Sequence, residues 1–216
     1  WCIDIRNNLF TGSDADIYSN SSWMSAIYLN GSEQKVNIEN NVFTVNRTAL
    51  NLDDFSDAVT VKGNTFGDNG THISFGGTTQ TEGSYTIAGN EFAVVGAVFN
   101  LSNVSPAFRL DGTANTFAGK TPAEMSMDEL FELESLTWHK GKGNRNGFVR
   151  VLAGHVYVTP ESGTLAQAIE VAEEGDIVKV AAGIYEEQLI INKPLTLSGD
   201  GDDEAGTTIM AENNAV

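Results

Sequence analysis

Ile38-Glu39-Asn40-Asn41-Val42-Phe43 decides how this chain is read, because the same phrase returns four more times. It recurs as Ile5-Arg6-Asn7-Asn8-Leu9-Phe10, Val61-Lys62-Gly63-Asn64-Thr65-Phe66 and Ile87-Ala88-Gly89-Asn90-Glu91-Phe92, and in stretched form as Leu110-Asp111-Gly112-Thr113-Ala114-Asn115-Thr116-Phe117. The recurring Asn stands at 8, 41, 64, 90 and 115, so the steps are 33, 23, 26 and 25 residues. Self-similarity in that range marks a solenoid. Each repeat of a solenoid contacts only its neighbours, and the long surface, not a central pocket, carries the activity.

The runs around the phrase are strand-like. Ala26-Ile27-Tyr28-Leu29, Val36-Asn37-Ile38, Ala58-Val59-Thr60-Val61 and Tyr85-Thr86-Ile87 alternate apolar and polar residues, the period of a strand with one buried face. Gly67-Asp68-Asn69-Gly70 and Gly76-Gly77-Thr78-Thr79 supply turns between them. In such a coil each Asn is expected to hydrogen-bond its counterpart one rung away, and each Phe to stack on the next. Asn8, Asn41, Asn64, Asn90 and Asn115, with Phe10, Phe43, Phe66, Phe92 and Phe117, are therefore expected as a structural ladder and not as catalytic groups.

Composition narrows the partners. Twelve Lys and Arg against 29 Asp and Glu give a formal net charge of −17. A surface that acidic repels phosphate backbones and anionic headgroups, which argues against nucleic acid and membrane partners and suits surroundings rich in cations. The single cysteine, Cys2, excludes a disulfide framework and thiolate metal sites. No run is apolar enough to span a bilayer and no signal peptide is visible, so membrane insertion is not expected.

From Thr121 the texture changes. Thr121-Pro122-Ala123-Glu124 has the order of a capped helix start, and Met127, Leu130, Phe131, Leu133 and Leu136 form an apolar stripe, so a helical connector is expected near 122–137. The segment Trp138 to Asn146, with Lys140, Lys142, Arg145 and nearby Arg150, reads as a basic joint that pairs internally. Leu165, Ala168, Ile169 and Ala172 then predict a short amphipathic helix near 164–174, ended by Gly175. Ile177-Val178-Lys179-Val180, Gln188-Leu189-Ile190-Ile191 and Leu195-Thr196-Leu197 read as strands, and another begins at Thr207-Thr208-Ile209-Met210.

Four phrases carry a resemblance. Leu165-Ala166-Gln167-Ala168-Ile169, Gly175-Asp176-Ile177-Val178-Lys179-Val180, Ala182-Gly183-Ile184-Tyr185-Glu186-Glu187 and Ile191-Asn192-Lys193-Pro194-Leu195-Thr196-Leu197-Ser198-Gly199 occur in the order seen in the N-terminal cap and first rungs of right-handed parallel β-helix proteins. That superfamily includes pectin methylesterases and pectate-lyase-like proteins. The Asn-x-Phe rungs resemble its later coils more loosely. The stretch from Asp128-Glu129-Leu130-Phe131 through Asn146-Gly147-Phe148-Val149-Arg150-Val151 to Val156-Tyr157-Val158-Thr159-Pro160 resembles the joint between consecutive β-helix units of large, tandemly repetitive bacterial surface proteins.

The resemblance implies an all-β, right-handed parallel β-helix divided into rungs over 1–119, a helix-containing connector over 120–154, and a cap with first rungs of a second β-helix over 155–216. Rungs thus precede a cap. That order implies either a slice through two consecutive units or a protomer whose ends complement one another, residues 1–10 of the next copy completing the last rung. Thr208-Ile209-Met210-Ala211-Glu212-Asn213-Asn214-Ala215-Val216 followed by Trp1-Cys2-Ile3-Asp4-Ile5 reads as uninterrupted rung sequence. An open rung exposes unpaired backbone groups and core, and a head-to-tail contact that does not close builds a filament. Trp1, Ile3, Ile5, Ile209, Met210 and Val216 are the residues expected at that interface.

An enzyme is the alternative. Many members of the superfamily act on acidic polysaccharide, which needs paired carboxylates or a carboxylate beside an Arg. Asp53, Asp54 and Asp57 form the densest acidic cluster of the rungs without an Arg at strand spacing, and Arg109-Leu110-Asp111 alone places both on one face. No residue is assigned as catalytic. His72, His139 and His155 lack metal-ligand spacing and are expected at the surface or an edge.

Calcium is the only cofactor the sequence suggests, and the fold does not require it. Asp200, Asp202, Asp203 and Glu204 crowd one turn as hard oxygen ligands, with Asp14 and Asp16 as a second pair. Asn-x-Ser/Thr sequons at Asn20, Asn30, Asn46, Asn69, Asn100 and Asn103 are candidate glycosylation sites on turns. The sequence therefore points to a secreted or cell-surface structural module, bacterial or archaeal, that stacks on itself into a fibre or stalk. The alternative is a carbohydrate-binding or carbohydrate-active β-helix acting on acidic polysaccharide, with a surface polysaccharide as partner.

Overall fold

Strands with one apolar face stay in register only if that face is buried, and a coil of three of them closes a core that the next coil extends. A computed structural model shows such a coil and describes residues 2–12, 25–31, 35–54, 58–77, 85–102, 104–140, 146–201 and 205–211. The first rung holds β1 (Cys2–Arg6), β2 (Leu9–Thr11) and β3 (Ser25–Asn30). The second holds β4 (Lys35–Glu39), β5 (Val42–Thr44) and β6 (Thr48–Asp53), and the third β7 (Val59–Lys62), β8 (Thr65–Phe66) and β9 (Thr71–Gly76). The fourth holds β10 (Tyr85–Ala88), β11 (Glu91–Phe92) and β12 (Ala97–Leu101). The fifth holds β13 (Arg109–Asp111) and β14 (Thr116–Phe117) and, beyond helix α1 (Met127–Ser135), β15 (Thr137–Trp138).

Equivalent strands pair in parallel across rungs. Sheet A is β1-β4-β7-β10, sheet B is β2-β5-β8-β11-β14 and sheet C is β3-β6-β9-β12-β15. The fold is a right-handed parallel β-helix, the hand that parallel crossovers adopt. Register carries the sequence phrase directly, with Ile5 beside Ile38 and Val61, and Phe10 beside Phe43 and Phe66. The A-to-B corner needs one left-handed residue, which Asn7 (φ 59°), Asn40 (φ 54°), Gly63 (φ 65°) and Gly89 (φ 64°) provide. Asn and Gly are the residue types that tolerate this conformation, which explains the residue before the first four ladder Asn residues.

The connector begins with a 3-10 turn, Pro122–Glu124, instead of the α-helix expected from Thr121. The α-helix starts one turn later because Ser126 supplies a better cap. Its Oγ accepts from Glu129 N–H at 3.3 Å, while its own N–H donates to Glu129 Oε2 at 2.7 Å. Beyond it β16 (Phe148–Arg150) pairs with β13.

The chain continues through β17 (His155–Val158), helix α2 (Leu165–Val171), β18 (Ile177–Val180), β19 (Gly183–Glu186), β20 (Thr196–Gly199) and β21 (Thr207–Met210). Sheet D is β17-β18-β20 and sheet E is β19-β21. Helix α2 buries Leu165, Ala168 and Ile169 against this second set of strands.

The expected strand Gln188-Leu189-Ile190-Ile191 is not formed. It lies after β19 where the third face of the rung would run, and no described residue pairs with it. Strand hydrogen bonds need a partner, so a segment of strand composition stays irregular until one arrives.

Candidate functional site

Two internal ladders hold the rungs. Asn64 Oδ1 accepts from the backbone N–H of Asn41 at 2.9 Å and from its Nδ2 at 3.1 Å, and Asn90 Oδ1 does the same for Asn64. The chain of bonds runs from Asn8 through Asn41, Asn64 and Asn90 to Asn115. Each inner Asn also donates Nδ2 to a carbonyl of the preceding rung, as Asn64 does to Ile38 O at 2.8 Å. Beside it Phe10, Phe43, Phe66, Phe92 and Phe117 stack at 4.8 to 5.6 Å between centroids.

A second, shorter ladder at the B-to-C corner was not anticipated. Asn46 donates through its backbone N–H and Nδ2 to Asn69 Oδ1, both at 3.0 Å. Asn69 Nδ2 donates to Phe43 O at 3.0 Å and lies 3.3 Å from His72 Nδ1. His72 ends the ladder by donating from Nε2 to Ala93 O at 2.8 Å, which makes it the neutral Nε2–H tautomer. Burial pushes its pKa down to about 4. The signal in the sequence is Phe-x-x-Asn at Phe43 and Phe66, which the sequon match at the same Asn residues obscured.

His72 and His139 are both fully buried, contrary to the expected surface placement, because each replaces a backbone partner inside a corner. His139 Nδ1 accepts from Val149 N–H at 3.0 Å and its ring stacks on Phe148. Its Nε2 donates to Glu134 Oε1 at 3.0 Å, and Lys140 Nζ pairs with the same carboxylate and with Tyr157 O at 3.0 Å. Burial pushes the Glu134 carboxyl up, but Lys140 and His139 outweigh it, and the group ends below the usual range. Burial, with Glu134 nearby, raises the Tyr157 phenol to about 12. This cluster joins α1, the basic connector and β17. Lys140 is an internal ion-pair residue, while Lys142 and Arg145 lie outside the described residues. Arg150 pairs with Asp176 at 2.8 Å and Glu173 at 3.5 Å.

The enzyme candidates do not assemble. Arg109 donates to Pro106 O and Phe108 O, and Asp111 accepts from the Thr113 N–H and hydroxyl, so the two are held apart. Asp53 is raised by burial, opposed by Tyr28 and reinforced by Asp54, while Asp57 is outside the described residues. Among the described residues no group of three His, Cys, Asp or Glu side chains is placed to hold a metal ion. Asp200 is described, its N–H donating to Thr207 Oγ1, but Asp202, Asp203, Glu204, Asp14 and Asp16 are not.

Two of the sequon expectations are corrected. Asn46 and Asn69 are buried, their Nδ2 groups committed to the inner ladder, so the folded coil does not present them. Asn30 is exposed, Asn100 lies on the outer face of sheet C, and Asn20 and Asn103 lie outside the described residues.

The expected interface residues sit at the two ends. Ile3, Ile5 and Phe10 point inward in the same register columns as Val36, Ile38 and Phe43, which are fully buried, yet they remain partly exposed. At the other end Ile209 aligns with buried Tyr185 but is 41% exposed, and Ile190 and Ile191 are 75% and 50% exposed. Met210 is exposed too, and Trp1 and Val216 lie outside the described residues. Asn8 Oδ1 has no partner among the described residues, although every later ladder Oδ1 accepts from the rung before it.

Sheet C carries a concavity on its outer face. A groove of about 550 Å³ crosses all five rungs and is lined by Thr48, Asn51, Thr71, Ser74, Asn100 and Trp138 among others. Among the described residues no helix is long and apolar enough to cross a membrane. Comparison with family models, with curated proteins and with solved structures finds no match to this chain.

Proposed function

We propose that this chain is a structural module that stacks end to end through its open rungs into a filament or stalk. The observation that carries it is the contrast within single register columns. Phe10 at the edge is only partly buried, whereas Phe43 one rung in is fully buried. The occupant is the C-terminal rung of a second copy of the same unit.

Register supports this choice. Sheet D ends in β20, which pairs with β18 on one side, and sheet A begins in β1, which pairs with β4 on one side. Sheet E likewise ends in β21, paired with β19, and sheet B begins in β2, paired with β5. In the proposed stack sheet D continues as sheet A, Leu197 meeting Ile3, and sheet E as sheet B, with the inward Ile209 and Phe10 in one column.

This reading places the protein outside the cell, secreted or on a bacterial or archaeal surface, with itself as principal partner and neither nucleic acid nor membrane as a ligand. The net charge of −17 supports those exclusions. Sedimentation velocity over a concentration series, with electron microscopy of the same samples, tests it. Axial polymers that lengthen with concentration are expected, and single particles with closed ends at every concentration would refute it.

One observation favours a second reading, carbohydrate contact along the rungs. The sheet C groove is polar, runs along the coil axis and includes Trp138.

A further inference from the structure

We infer that the sheet C groove binds an uncharged saccharide chain lying along the coil axis, one sugar ring per rung. The inference rests on the carbohydrate reading above, narrows its ligand class and is independent of stacking. Strand register builds the floor as a single outward row. Tyr28 aligns with Asn51, Asn51 with Ser74, Ser74 with Asn100 and Asn100 with Trp138. The row is thus amide and hydroxyl groups in the middle with an aromatic ring at each end. Thr48 and Thr71, paired across β6 and β9, add a parallel row of hydroxyls. Successive rungs are separated by about 4.8 Å, close to the length of one sugar ring in an extended chain.

The chemistry of the floor selects the ligand. Asn51 Oδ1 is buried and accepts no hydrogen bond from a described residue. It is an acceptor, so its complement must donate. A hydroxyl does so, whereas a carboxylate or sulfate only accepts. A buried polar atom left unpaired is costly, which makes a hydroxyl at this point a strong source of selectivity.

Charge points the same way. Arg47 and Asp53 line the groove with opposite signs, Asp54 adjoins it, and the protein carries −17 overall, so a polyanion gains nothing here and is repelled at long range. A ligand of many hydroxyls and no charge fits both facts.

Affinity electrophoresis in native gels containing laminarin, glucomannan or xylan, against gels containing polygalacturonate or alginate, tests the inference. At least one neutral polymer is expected to retard the protein and neither acidic polymer to do so. The apparent affinity is expected to fall by about tenfold or more in Asn51→Ala, the loss of one or two hydrogen bonds, and in Ser74→Arg, which fills the groove. Circular dichroism melts certify each variant as folded, with Asn51→Ser as the milder replacement if either fails.

Retardation by acidic polymers alone would overturn the uncharged class while leaving the carbohydrate reading standing. Retardation by none would remove both. Retardation by a neutral polymer that folded groove variants do not weaken would place binding elsewhere and overturn the assignment.

Discussion

The front five rungs and the back strands, β17 to β21, share one architecture but are held together differently. In front, the A-to-B corner is tied by the Asn8-to-Asn115 ladder and the phenyl stack, and the inward residues of rungs two to four are almost entirely excluded from water. In the back neither ladder appears among the described residues. Helix α2 covers one side of the strands instead, and Ile184, Ile190, Ile191 and Ile209 remain exposed. Burial in each region thus follows whether a group has a neighbour above and below. Strand composition does not distinguish them.

The joint between the two regions is the first place to break that comparison. Lys140→Ala leaves the Glu134 carboxylate buried with only His139 beside it, and removing one partner of a buried pair costs about 3–5 kcal/mol. Urea denaturation is expected to show a loss of that size, with front and back unfolding separately. The double replacement Glu134→Leu with Lys140→Met removes both charges together and is expected to recover most of the stability.

How far this contrast was legible in the sequence differs by region. The front rungs could be read because Asn-x-Phe repeats at a fixed place in each coil, and the left-handed corner demands Asn or Gly just before it. The back helix could be read from its apolar spacing, Leu165, Ala168, Ile169 and Ala172, ended by Gly175. The Glu134–His139–Lys140 cluster could not be read, because ion pairs of this kind depend on how a connector folds back over a helix. The second ladder was hidden for another reason: Asn46 and Asn69 match a surface motif as well as a buried role. The groove of sheet C exists only once β3, β6, β9, β12 and β15 are laid side by side, since its residues carry no shared phrase.

Acid probes the front region through His72. The pKa of His72 falls from 6.5 to about 4 on folding. The unfolded chain therefore binds the extra proton first, and stability falls as pH drops from about 6.5 toward 4. The full shift is worth about 3 kcal/mol. Denaturation midpoints measured at pH 7 and pH 4 are expected to differ by less in His72→Gln than in the parent, and an unchanged difference would remove His72 as the cause.

The ladder itself separates middle from edge. Asn64→Ala orphans the Asn41 backbone N–H and one Nδ2 bond, so about 2–3 kcal/mol is expected to be lost. Asn8→Ala is expected to cost under about 0.5 kcal/mol in the isolated chain, as a surface change does. Thermal melts of the pair check the ratio. Equal losses would mean that the edge rung is already completed by something bound to it.

Stacking is the claim on which the functional account turns, and the chain's single cysteine makes it directly measurable. Cys2 is exposed on the outward side of β1. The register argued above sets it beside Thr196 of a neighbouring copy, at the parallel-strand separation of about 4.8 Å, which lies within the Cα range of a disulfide. Thr196→Cys is therefore expected, under mild oxidation, to give a reducible ladder of dimers, trimers and longer species on a denaturing gel. Ser198→Cys, two residues along the same strand, is expected to give almost none. Equal ladders from both variants would contradict the register, and monomer alone from Thr196→Cys would contradict end-to-end stacking.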